Sequence, residues 1–86
     1  MRSKSDRTVI LEFLTKCIET AAGNAAKFGR LRRIMADKTI DGSFNYWSTV
    51  LKGYKYQWFL AGGDNAGCQA IIERIERAEN EQPTSV

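Results

Sequence analysis

The sequence predicts an all-α protein: a small bundle of three helices with a long first helix, completed by dimerisation. Three observations predict it. Apolar residues recur at alternating spacings of four and three along most of the chain, the period of an amphipathic helix. Capping residues and glycines interrupt that pattern at two places, near residues 37–43 and 62–65, where helices would stop and restart. Only one stretch, 43–61, also reads with a strand period, and a lone hairpin has no sheet to join.

The first helix is expected from Asp6 to Ala36, capped by Ser5 or Asp6, with Ile10, Leu14, Cys17, Ala21, Asn24, Phe28, Leu31 and Met35 as its apolar seam. The phase of that seam survives Ala22-Gly23-Asn24. Two helices joined by a turn have no reason to keep a common phase, so one continuous helix is predicted, bent at most at Gly23. A helix of about 31 residues is roughly 46 Å long, whereas a compact chain of this size is about 30 Å across. A second copy is therefore expected to cover part of the seam. Asn24 is a polar interruption of the kind that selects register and oligomer state.

The segment Asp37 to Gly42 reads as a turn with its corner at Asp41-Gly42. The second helix is then expected from Phe44 to Ala61, with Ser43 as N-cap, Gly62-Gly63 as stop, and Trp47, Leu51, Tyr54 and Trp58 facing inward. Seven of the nine aromatic residues lie between Ser43 and Gly62. Because Tyr, Trp, Phe and Val also favour strands, the alternative is an α+β fold with a hairpin at 43–61 turning at Lys52-Gly53. Lysine suits the first position of a two-residue turn poorly, which argues against it. Gly53 inside a helix is unfavourable relative to Ala and would admit a close neighbour.

The third helix is expected from Asn65 to Asn80, capped by Asp64 or Asn65, with Cys68, Ile71, Ile72, Ile75 and Ala78 on one face. Gly62 and Gly67 have the spacing of a phosphate loop, but Cys68-Gln69 stands where Lys and Ser or Thr would be required. The whole chain, 1–86, reads as one helical domain, with 1–5 and 81–86 frayed.

Composition narrows function by exclusion. The chain has 86 residues, 43% of them hydrophobic and 27% charged, two cysteines and no histidine. Without histidine the commonest general base, the Ser-His and Cys-His pairs and the usual zinc ligand are all missing. The carboxylates are scattered on faces expected to be exposed, so a non-enzyme with no cofactor and no metal is expected. No run approaches the roughly 20 apolar residues of a membrane span, no leader-like cleavage pattern follows the basic N-terminus, and Cys17 and Cys68 read as reduced core residues. A cytoplasmic protein without membrane partners is expected.

The net charge of +3 is unevenly spread: 11 basic and 5 acidic residues lie up to Lys55, against 2 basic and 5 acidic from Tyr56 onward. The basic cluster Lys27, Arg30, Arg32, Arg33 and Lys38 lacks any nucleic-acid signature. The expected function is a small protein-binding module, an adaptor, inhibitor or regulator that occupies a partner's surface. Tyr46, Tyr56, Arg30 and Arg33 are its anchors, since aromatic and arginine side chains dominate interfaces. The alternative is a nucleic-acid-binding accessory protein using the basic N-terminal half.

Overall fold

The computed structural model describes residues 5–81 as three helices, α1 (Asp6–Ile34), α2 (Lys38–Leu60) and α3 (Asn65–Asn80), and no strand occurs among them. Residues 1–4 and 82–86, most of the ends expected to fray, lie outside the described residues. Each helix starts on a side-chain cap. The Ser5 hydroxyl accepts from the Thr8 N–H at 3.2 Å, Asp37 Oδ1 from Thr39 N–H at 2.7 Å, and Asp64 Oδ1 from Gly67 N–H at 2.8 Å. These satisfy N–H groups that the first turn of a helix leaves unbonded.

α1 runs unbroken through Gly23, as its phase predicts, and stops at Ile34 because Met35 is extended, at φ −126° and ψ 128°. α2 starts six residues earlier than the sequence suggests. The 37–42 segment is not a turn and Ser43 is not the cap: Asp37 caps the helix, and Asp41 and Gly42 lie inside it. Tertiary contacts to α1 hold that extra turn, because Asp41 pairs with Arg32 at 3.2 Å and the Arg32 guanidinium stacks over the Phe44 ring at 4.6 Å. The hairpin at 43–61 is not formed.

α2 ends at the predicted glycines. Gly62 takes the left-handed conformation, φ 93°, which costs glycine nothing. The Gly63 N–H returns to the Trp58 carbonyl at 2.8 Å and the Trp58 indole N–H donates to the Asp64 carbonyl at 2.8 Å. A Cβ on Gly63 would overlap the Trp58 ring. The glycine spacing that resembles a phosphate loop is thus a helix stop followed by a helix start, and the Asp64 carboxylate already occupies the α3 N-terminus.

α2 lies antiparallel along α1: Phe44 packs on Gly29 at one end, and Arg7 donates to the Gly62 carbonyl at 2.6 Å at the other. α3 runs in the direction of α1, pinned by Glu19–Arg74, by Ile75 against Gly23, and by Arg30–Glu79 at 2.9 Å. Both pack on α1 and barely touch each other. The core is Leu14, Ile18, Ala22, Trp58, Cys68 and Ile72, flanked by Leu11, Leu51, Tyr54 and Ile75. The described chain is a rod of 51 × 23 × 21 Å, not a sphere near 30 Å across, so α2 and α3 run lengthwise along α1 and cover its middle, leaving Val9, Ile10, Phe13, Ile34 and Met35 near its ends exposed.

Candidate functional site

Because α2 and α3 pack on the same helix and meet each other only where Trp58 joins Cys68 and Ile72 in the core, a trough of about 640 Å³ lies between them. Its floor is Ala22, Ala25, Ala26 and Gly29 of α1, one helical face by their spacing. Phe44, Ser48 and Leu51 form the α2 wall, Glu76 and Asn80 the α3 wall, and Arg32 and Arg33 the rim. Small floor residues keep the trough deep.

The anchors named from sequence fall into two groups. Tyr46 and Tyr56 are 62% and 63% exposed on the outer side of α2, with Tyr46 edge-on to Trp47 at 5.2 Å. Arg33 is exposed on the trough rim, its Nε donating to the Gly29 carbonyl of its own helix at 3.3 Å. Arg30 differs: it is half-buried and its guanidinium pairs with Glu79, so it ties α3 to α1, while its buried Nε has no hydrogen-bond partner.

The seam read on α1 divides as well. Leu14 and Ala21 are buried within the chain, Cys17, Asn24, Phe28 and Leu31 are half-buried, and Ile10 and Met35 are exposed. The centre of burial lies beside that seam, on Ile18 at 0% and Ala22 at 1% exposure. The trough residues Ala25, Ala26 and Gly29 were missed as a site, and Arg32 was read only as part of the basic cluster. The signal of the first three was a face of small residues, which weighs little in any hydrophobic pattern.

Cys17 and Cys68 are both free thiols. Burial pushes the Cys68 thiol above its ordinary range, against the opposing pull of nearby Lys55. Among the described residues no three Cys, Asp or Glu side chains gather into a metal-binding group, and no helix is long and apolar enough to cross a membrane. No protein-family model, curated protein or solved structure matches the chain.

Proposed function

We propose that the protein is a non-catalytic protein-binding module, an adaptor, inhibitor or regulator that acts by occupying a partner's surface. One observation supports this most: a small rod with no histidine leaves Tyr46 and Tyr56 well over half exposed and keeps an arginine-rimmed trough between α2 and α3. Exposed tyrosine and arginine at a concave apolar surface are the usual energetic anchors of a protein interface. Two free thiols suit a reducing, cytoplasmic setting. Self-association belongs to the same reading, with Ile10 and Met35 the open ends of the α1 seam.

The test is capture of partners from the native host by wild type, by Tyr46→Ala/Tyr56→Ala, and by Ser48→Arg, which fills the trough. Recovery that falls with at least one variant is expected; equal recovery by all three removes the reading. The alternative, nucleic-acid binding through Lys27, Arg30, Arg33 and Lys38, is weakened because Arg30 and Arg32 already pair with Glu79 and Asp41. It requires affinity that falls steeply with salt and with Arg33→Ala, and absence of binding at low salt ends it.

A further inference from the structure

The outer side of α2 carries a feature that nothing inside the chain explains. Gly42, Tyr46, Thr49, Gly53, Tyr56 and Leu60 follow at spacings of four, three, four, three and four, and all six are exposed. They form one stripe along the helix, and the only charges on α2 are Lys38, Asp41, Lys52 and Lys55, none within the stripe. Thr49 turns its hydroxyl back to the Asn45 carbonyl at 2.9 Å, so the stripe presents little polarity apart from the tyrosine hydroxyls.

The two glycines are the second observation. Neither has a positive φ, so neither is required by the backbone. A Cβ at Gly42 or Gly53 would meet nothing within 4 Å, so neither makes room for a neighbour in its own chain. Glycine is the poorest helix former apart from proline. By contrast Gly29 and Gly63 each face an aromatic ring, Phe44 and Trp58.

The spacing of the stripe reads the same in both directions. Resting on the protein-binding reading, we infer that the partner of this face is a second copy of the chain, packed antiparallel about a two-fold axis near Leu51. That pairing sets Leu60 against Gly42, Tyr46 against Tyr56 and Thr49 against Gly53. Each glycine then receives a larger side chain from the other copy, the self-complementarity a two-fold interface demands. The helix dipoles of the two antiparallel copies oppose favourably. The one unfavourable pairing is Lys52, which flanks the axis beside its own image.

The area sets the strength. Tyr46, Tyr56 and Leu60 are 62%, 63% and 63% exposed, and side chains of this size offer roughly 100–150 Å² each at that exposure. Six of them supply roughly 600–900 Å², and Phe59 and Gln57 on the flanks bring the total to the lower edge of a standard interface, about 1,200 Å². The dimer is therefore weak and reversible, and it leaves the trough open to a different partner.

Sedimentation equilibrium of the purified chain up to about 500 µM, the range of a minimal interface, tests this. A reversible monomer–dimer equilibrium is expected that tightens as salt screens Lys52 and weakens tenfold or more in Gly42→Ala/Gly53→Ala, a variant expected to keep its helical circular dichroism. In a Cys17→Ser background, a Tyr46→Cys chain mixed with a Tyr56→Cys chain should form a mixed disulfide faster than either pairs with itself. A monomer throughout, a dimer indifferent to the glycine substitutions, or faster self-pairing of Tyr46→Cys would each overturn the inference. No lysate enters this experiment, so its failure leaves the protein-binding reading to be judged by the Ser48→Arg capture.

Discussion

α2 carries two stripes of the same helical period on opposite sides, and they have opposite fates. The inner one packs Leu51, Tyr54 and Trp58 into the core and holds the one buried residue of the helix, Trp58, while Trp47, expected inward with them, is half-buried and stands edge-on to Tyr46. The outer one, from Gly42 to Leu60, faces solvent throughout. Period alone therefore does not say which stripe a chain covers for itself. Side-chain volume does: the inner stripe supplies large rings to fill the space over Ile18 and Ala22, and the outer stripe alternates rings with glycines that nothing in the chain fills.

Breaking the inner stripe should have the largest effect. Trp58→Ala removes a buried ring and its hydrogen bond to the Asp64 carbonyl, and is expected to cost about 3–5 kcal/mol in urea unfolding. For a chain of this size that is a large share of total stability. A loss under about 1 kcal/mol would mean that the inner stripe is not the core.

Next come two glycine substitutions of opposite sign. Gly63→Ala drives a methyl into the Trp58 indole and should destabilise by about 1–3 kcal/mol. Gly53→Ala meets open space and should stabilise the dilute monomer by about 1 kcal/mol through helix propensity. Equal signs in thermal unfolding would erase the distinction between the two sides of α2.

Smaller still, Tyr46→Ala and Tyr56→Ala should leave dilute-monomer stability within about 0.5 kcal/mol, because both rings are already largely in water. A larger loss would make those rings structural and not available to a partner.

The smallest effect concerns pH. Burial raises the Cys68 thiol above its unfolded-state value, so the folded state holds that proton more tightly. Its contribution is intact below about pH 8.5, the ordinary thiol value, and is lost as pH rises through the higher folded-state pKa. Chemical unfolding compared between pH 7 and alkaline pH should show an alkaline decline that Cys68→Ala reduces. Cys17, half-buried, should be alkylated well before Cys68.

The sequence by itself determined what depends on neighbours within one turn. Ser5 and Asp64 among the cap candidates, Gly62 as the left-handed stop, continuity through Gly23 and the inward placing of Leu51, Tyr54 and Trp58 all follow from backbone N–H groups needing acceptors and from spacing that puts residues on one side of a helix. Only the tertiary structure decided matters that rest on distant helices. Asp37 and Ser43 are both competent caps, and the choice fell to Asp37 because Arg32 and Gly29 of α1 hold Asp41 and Phe44 in place. Arg30 read as an anchor until Glu79, far along the chain, claimed its guanidinium. The α1 seam read from large apolar residues was off centre because alanines count little in a pattern, yet Ala22 and Ala25 are where two helices approach. The trough exists because α2 and α3 share one support and barely pack on each other, an arrangement of three elements that no single stretch of sequence encodes.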